Sequence, residues 1–193
     1  MASDLGLSDT EVHAKAREVL RFWFELLMPE QWFSRDSVSL DDEIRALFAP
    51  LHARIVAAGA REWRDDPDAL LAAILVLDQF SRNMFRGSAQ AYATDPLAQQ
   101  LATLGVERGW DGGMSAVQRQ FLYMPFQHAE SRELQAVSLQ CFERLGNEEG
   151  LAFARDHAEV IARFGRFPTR NAALGRASTP EEEDYLSQPG VGW

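Results

Sequence analysis

The sequence has little of what several classes of protein need. Only one cysteine, Cys141, occurs among 193 residues, so an intrachain disulfide and a cysteine-based metal site are both excluded. Lysine and arginine number 19 against 29 aspartate and glutamate residues, and the net charge of −10 disfavours binding to nucleic acid or to an anionic membrane. No apolar run approaches the roughly 18 residues of a membrane helix. We therefore predict a cytoplasmic protein without nucleic-acid or membrane partners.

The signatures of common cofactor and metal enzymes are also missing from the sequence. No glycine-rich loop precedes a predicted helix, and neither a Gly-x-Ser-x-Gly elbow nor a dinucleotide fingerprint occurs. The metal-binding patterns His-Glu-x-x-His and Glu-x-x-His are absent as well. We predict no cofactor and no bound metal, and the sequence makes no prediction of oligomeric state.

What the sequence does contain is the pattern of an all-α protein. Hydrophobic residues make up 46% of the chain, enough for one domain over residues 1–193 with a sizeable core. Segments of about 12 to 20 residues with helical spacing alternate with short breaks, which predicts about seven to nine helices in antiparallel pairs. Pro50 and Pro125 fall inside two of these helices and are expected to kink or interrupt them. Asp95, which is followed by proline, is expected to cap another helix.

Three of the predicted helices place an ionisable side chain on their apolar face. Asp78 shares a face with the apolar residues three, four and seven positions before it, and His128 and His157 lie in similar stripes. Glu130 follows near the end of the second helix. An inward histidine is more often a hydrogen-bonded core residue than a catalytic one, but three inward ionisable groups are also typical of an active site. Both interpretations stay open for the candidate catalytic residues Asp78, His128, Glu130 and His157.

Arginine and amide side chains are concentrated in two segments, residues 78–87 and 157–176. Planar guanidinium groups bind phosphate and carboxylate groups through paired hydrogen bonds, and amides add neutral ones. In an acidic protein, such a concentration needs either carboxylate partners or an anionic ligand. The candidate ligand-binding residues are Gln79, Arg82, Asn83, Arg86, Arg163, Arg166, Arg170 and Asn171.

These residues are compatible with several functions. In the leading hypothesis, helix ends converge on a polar pocket that binds an anionic small molecule or a carboxylate-bearing peptide, and the catalytic candidates orient the arginines or move protons. One alternative is a scaffold for protein interactions, in which the arginines form only structural ion pairs. Another is a metal-assisted hydrolase with His128, Glu130 and His157 as ligands, although positions two apart on a helix do not face one direction. The sequence leaves open whether the protein is an enzyme.

Three motifs, in order, resemble those of a known family. Residues 78–87 (DQFSRNMFRG), 121–130 (FLYMPFQHAE) and 157–176 (HAEVIARFGRFPTRNAALGR) are similar to signatures of the bacterial family catalogued as domain of unknown function 924. The resemblance extends over about residues 19–186. It implies a tetratricopeptide-like, right-handed array of helices and implies no reaction. Two positions depart from the family pattern, Ser81 where proline is usual and Thr169 where histidine is usual, so position 169 is not a predicted catalytic position.

Overall fold

The computed structural model describes residues 7–34 and 37–192, and these ranges are helical, without a β-strand. The predicted all-α class is confirmed. Its α-helices are α1 (Asp9–Arg21), α2 (Pro29–Trp32), α3 (Val38–Ala58), α4 (Pro67–Leu75), α5 (Ser81–Met84), α6 (Asp95–Glu107), α7 (Ala116–Gln127), α8 (Arg132–Leu145), α9 (Glu148–Phe164) and α10 (Pro180–Leu186). The ends of the predicted domain, residues 1–6 and 193, lie outside the described residues, and the single domain stays a prediction.

Helix α4 lies at the centre of the fold because its sequence, PDALLAAIL, leaves no polar face. Asp66 caps its first turn by accepting a hydrogen bond from the main-chain N–H of Ala69 at 2.8 Å, and Pro67 is suited to the position that follows. A helix that is apolar on every side is stable only when other elements surround it. Helices α1, α6 and α7 all pack against α4, and its residues 69–75 are buried.

A cluster of aromatic side chains joins the segment that follows α4 to α3 and to the segment that follows α1. The ring of Phe48 in α3 lies 4.8 Å from that of Phe80 and 5.1 Å from that of Phe22, between ring centroids. Trp23 meets Phe121 of α7 edge-on at 5.5 Å. Such edge and tilted contacts each stabilise the fold by about 0.5–1.5 kcal/mol beyond the burial of the rings. They fix the segment that follows α4 against α3, and the segment that follows α1 against α7.

A π-helical turn at Val76–Phe80 links α4 to α5. The wider turn admits one extra residue and changes the helical phase, so all five of its residues are buried, including Asp78 and Gln79. The helix that begins at Pro67 therefore continues to Met84, with a widened turn in its middle. Turns of this kind are frequent at functional sites.

The two internal prolines do not divide their helices. Pro50 lies within the continuous helix α3, and Pro125 lies within α7. The expected interruption of α7 was wrong because the packing of buried residues on both sides of Pro125 offsets the hydrogen bond that proline cannot donate.

The C-terminal half is built from successive helices. Helices α7 and α8 pack together across the four-residue link 128–131, and α8 and α9 across the link 146–147. Links this short favour antiparallel neighbours. A tetratricopeptide-like right-handed array stays a prediction. None of the described helices is both long enough and apolar enough to cross a membrane.

We expect Asn147→Ala to lower the free energy of unfolding by about 1 kcal/mol, because the Asn147 side chain caps α9 by accepting a hydrogen bond from Gly150 N–H at 3.0 Å. Urea unfolding measures the change. Asn147→Asp keeps the acceptor and adds a negative charge that the helix N-terminus favours, so it should retain most of the stability. Equal losses in the two variants would contradict a capping role.

Candidate functional site

Asp78 is the most deeply buried carboxylate of the predicted set, with 1% of the residue exposed. Its Oδ1 accepts a hydrogen bond from His128 Nδ1 at 2.8 Å and lies 3.1 Å from Arg82 Nη1, and its Oδ2 accepts one from Gln79. Burial alone would raise the pKa of Asp78, but Arg82 and His128 outweigh burial and hold the pKa below its ordinary value. Asp78 is therefore a buried anion.

Arg82 joins this carboxylate to a second one. Its Nη1 donates to the main-chain oxygen of Asp78 at 2.8 Å, as their spacing of four residues in a helix allows. Its Nη1 and Nη2 also donate to the two carboxylate oxygens of Asp95, at 2.9 and 3.1 Å. This paired geometry is the strong, orienting form of an arginine–carboxylate contact.

Arg170 reaches the same carboxylate from the other end of the chain. It donates to Asp95 Oδ2 at 3.2 Å and to the main-chain oxygen of His128 at 3.0 Å. Its guanidinium carbon lies 4.6 Å from the ring centroid of Tyr92 and 4.5 Å from that of Phe167. The two rings hold the guanidinium plane in place through cation–π contacts.

Asp95 is the functional residue that sequence reasoning missed. It was expected to cap α6, but Thr94 holds the cap position without a side-chain hydrogen bond, and the Asp95 carboxylate binds Arg82 and Arg170 instead. An aspartate followed by proline has the same local sequence whether its side chain caps the helix or forms an ion pair. Two inward arginines need a carboxylate partner, and this need was the signal available in the sequence. The sequence does not show which carboxylate lies near them.

His128 and Asp78 form a hydrogen-bonded dyad. A carboxylate accepts and cannot donate, so His128 Nδ1 carries the proton and Nε2 carries the lone pair when the ring is neutral. Among the described residues, no hydrogen-bond partner lies at His128 Nε2. Burial lowers the pKa of His128 below its ordinary value, while Asp78 acts in the opposite direction. The side chain is 12% exposed, so Nε2 belongs to a largely enclosed site.

His157 lies beside this dyad, with its ring centroid 6.2 Å from that of His128. Its Nδ1 is 2.7 Å from the main-chain oxygen of Phe153, which can only accept, so Nδ1 carries the proton. Gln127 Nε2 lies 3.3 Å from the same Nδ1, but a protonated Nδ1 cannot accept a hydrogen bond from it. Burial, with the repulsion of His128, lowers the pKa of His157 to about 3. The ring is therefore neutral near pH 7.

The other residues of the first arginine segment lie in a separate ion pair. Arg86 binds Asp41 through Nε and Nη2, at 2.7 and 2.9 Å, and Asn83 donates to the same carboxylate at 2.7 Å. Burial opposes ionisation of Asp41, but Arg86 and Asn83 hold its pKa below the ordinary value. This cluster fastens α3 to the segment that follows α5.

Glu130 also belongs to an ion pair. Arg176 donates to both of its carboxylate oxygens, at 2.7 and 2.9 Å, and the main-chain N–H of Phe167 donates to one of them at 2.8 Å. Burial opposes ionisation, yet these donors lower the pKa of Glu130 below its ordinary value. Glu130 thus holds the segment that carries Phe167 and Arg170 against the end of α7.

The remaining candidates anchor α10. Arg166 binds Glu182 through Nε and Nη2, at 2.6 and 2.8 Å, and Asn171 donates to the same carboxylate at 3.2 Å. Arg163 pairs with Glu181 at 2.8 Å on the surface. These contacts link the end of α9 to the C-terminal helix.

The structure thus brings five of the predicted residues into direct contact and disperses the others. The connected set consists of Asp78, Gln79, Arg82, His128 and Arg170, with His157 adjacent. Within ranges 7–34 and 37–192, no group of three or more His, Cys, Asp or Glu side chains is arranged to hold a metal ion. The hypothesis of a metal-assisted hydrolase therefore has no ligand set in this part of the chain.

Comparison with known proteins places the chain in a family. A family model described as "Bacterial protein of unknown function (DUF924)" matches residues 19–190. The chain belongs to this family. The chain is similar to a solved structure, that of the protein of unknown function ATU0120 from Agrobacterium tumefaciens, with a TM-score of 0.86 and 38% sequence identity. The match covers 91% of this chain and 98% of that one. No curated protein matches the chain.

One departure from the DUF924 pattern has a structural explanation. Thr94 donates to the main-chain oxygen of Leu77 at 2.6 Å, so the Ser81 hydroxyl must donate to Thr94, at 2.9 Å, and accept from His52 Nε2, at 2.9 Å. The buried side chain of His52 is a donor in this chain of hydrogen bonds. This chain of hydrogen bonds fixes Thr94, the residue before Asp95, against α5.

We expect Asp95→Ala to lower the free energy of unfolding by about 3–5 kcal/mol, because it leaves two largely buried guanidinium groups without their shared carboxylate. Urea unfolding measures the loss. The matched control, Glu181→Ala, breaks the surface pair with Arg163 and should cost less than about 1 kcal/mol. Comparable losses would contradict a central role for Asp95.

The neutral state of His157 predicts how stability depends on pH. Its pKa is about 3 in the folded protein against an ordinary value of 6.5, so between these values the unfolded chain binds a proton that the folded chain does not. Stability should therefore fall as the pH is lowered from 6.5, by up to about 1.4 kcal/mol per pH unit for this group. His157→Gln should have a shallower slope in urea unfolding between pH 6 and 4. An NMR titration of His157 near pH 6.5 would contradict the assignment.

Proposed function

We propose that Arg82, Arg170 and His128 bind a small molecule through its carboxylate or phosphate group, and that His128 takes up a proton as the molecule binds. The observation that carries this proposal is the edge of Arg82 that no described residue occupies. The proposal keeps the predicted anionic ligand but assigns it to three of the predicted residues. The other arginines of the two segments serve structural ion pairs.

Arg82 has N–H donors that Asp78 and Asp95 do not use. A guanidinium has five N–H groups, and Arg82 uses two at Nη1 and one at Nη2 for Asp78 and Asp95. Nε–H and the second Nη2–H remain, and these two point in parallel along one edge. That edge fits two oxygens of a carboxylate or phosphate group. The Arg82 side chain is 21% exposed, so it is not fully closed off from solvent, and this limited exposure favours a small ligand group.

The balance of charge explains why a proton should accompany the ligand. Asp78 and Asp95 carry two negative charges, and Arg82 and Arg170 carry two positive ones, so the cluster is neutral while His128 is neutral. An added anion would leave an uncompensated charge in a largely buried site, which is costly. Protonation of His128 restores the balance and makes Nε2 a donor toward the ligand.

The Asp78–His128 dyad also supplies an acid–base group. An imidazole fixed at Nδ1 by a carboxylate can accept a proton at Nε2 and return it, which is the arrangement that general acid–base catalysis uses.

The enclosure of the site favours a small molecule over a peptide, because the His128 and Arg170 side chains are only 12% and 11% exposed.

Sulfate is a suitable probe, because its charge does not change between pH 5 and 8. We expect isothermal titration calorimetry to show sulfate binding that strengthens by up to about tenfold per pH unit as the pH falls toward the pKa of His128, since one proton is taken up. Phosphate and malonate, in parallel arms, distinguish phosphate from carboxylate ligands.

Three variants test the assignment. Arg82→Lys keeps the charge but loses the paired donors, and should weaken sulfate binding, whereas Arg163→Lys at the surface pair should not. His128→Asn keeps a donor toward Asp78 but cannot titrate, and should remove the pH dependence. Wild-type protein that binds none of the three anions would overturn the proposal.

The alternative, a scaffold for protein interactions, has an observation of its own. Leu26, Met28 and Phe33 are 58%, 63% and 54% exposed within eight residues of the chain, and exposed apolar side chains grouped in this way often mark interaction surfaces. The carboxylate partners of the arginines also fit this hypothesis. It is favoured if Arg82→Lys lowers stability while the wild type binds none of the anions.

A further inference from the structure

Tyr92 lies at the site in a fixed turn. Its main-chain N–H donates to the oxygen of Ala89 at 3.2 Å, and its main-chain oxygen accepts from Asp95 N–H at 3.1 Å. The turn therefore ties Tyr92 to the residue whose carboxylate joins Arg82 and Arg170. Neither arginine segment of the sequence contains it.

The ring of Tyr92 packs on both guanidinium groups. The guanidinium carbon of Arg170 lies 4.6 Å from the ring centroid, and that of Arg82 lies 5.7 Å from it. These cation–π contacts need only the aromatic ring, and phenylalanine could make them equally well. The hydroxyl group needs a separate explanation.

No described residue hydrogen-bonds to the Tyr92 hydroxyl, although the residue is half-buried. By contrast, the Tyr123 hydroxyl donates to Asp111 at 2.6 Å. A buried tyrosine hydroxyl usually has a hydrogen-bond partner, and the partner of the half-buried Tyr92 hydroxyl must come from solvent or from a ligand. Tyr185 also has a hydroxyl without a partner among these residues, but its ring packs on Phe164 rather than on a guanidinium.

We infer that Tyr92 contacts the ligand, and that its hydroxyl hydrogen-bonds to a second polar group of that molecule. The inference rests on the proposed function, because the Arg82 edge binds the anionic group and thereby brings the rest of the molecule near Tyr92. The ligand class is a small acid or phosphate ester that carries a hydroxyl or carbonyl oxygen beside its anionic group. Tyr92 then determines specificity, since its hydroxyl distinguishes such a molecule from a plain anion.

Malate and succinate test this inference, because both are dianions at pH 7.5 and differ by one hydroxyl group. We expect calorimetry to show that the wild type binds malate about three- to tenfold more tightly than succinate, as one additional hydrogen bond would give. Tyr92→Phe keeps the ring on the guanidinium groups and should reduce malate binding to the level of succinate. Tyr185→Phe is the matched control and should bind as the wild type does.

The outcomes separate the inference from the proposed function. Equal malate affinity in the wild type and Tyr92→Phe overturns the inference. An equal loss of malate and succinate affinity in Tyr92→Phe also overturns it, because such a loss indicates that the hydroxyl is structural. Sulfate binding without binding of either acid also overturns the inference and leaves the proposed function standing. Failure of sulfate, phosphate and malonate to bind the wild type overturns the proposed function, and the inference with it.

Discussion

The carboxylate of Asp95 is the constraint on which the rest of the site depends. Arg82 and Arg170 come from distant parts of the chain and would repel each other in a largely buried cluster, but both donate to this one group. A buried network of this kind is stable only when every charge has a partner, because each missing partner leaves a costly isolated charge. The hydrogen-bonded chain through Thr94, Ser81 and His52 keeps the turn before Asp95 in place. The positions of the arginines and of His128 therefore follow from a residue outside the predicted set.

The neutrality of this cluster limits the chemistry it can support. Two arginines beside a histidine suggest a strongly basic site, yet two carboxylates already balance them. Attraction of an anion at long range is therefore weak, and recognition depends on donors that are already oriented. In the dyad of Asp78 and His128, the imidazole can gain a proton without breaking an ion pair, although burial lowers its pKa below the ordinary value. In the proposed function, the requirement for local neutrality couples anion binding to proton uptake by His128.

The sequence predicted what depends on neighbours along the chain and missed what depends on distant ones. The all-helical class, the inward face of Asp78 and the contact of Asp78 with Arg82 all follow from helical spacing. The partners of the other arginines do not, because Arg86 meets Asp41 across 45 positions and Arg170 meets Asp95 across 75. Asp95 was interpreted as a helix cap because a capping aspartate and one in an ion pair have the same local sequence. The π turn that buries both Asp78 and Gln79 has no simple sequence pattern either.

The arginines of the two segments differ in which edge of the guanidinium their carboxylate occupies, and this difference matters more than their number. In Arg86 and Arg166, the edge formed by Nε and Nη2 already holds Asp41 and Glu182. In Arg82, the carboxylate lies across Nη1 and Nη2, which leaves the Nε edge to a ligand. A dense group of arginines in an acidic protein is thus explained mostly by structural ion pairing. The proposal of a binding site follows instead from the geometry of one residue, because only an edge with two parallel donors can bind an oxyanion without first breaking an existing pair.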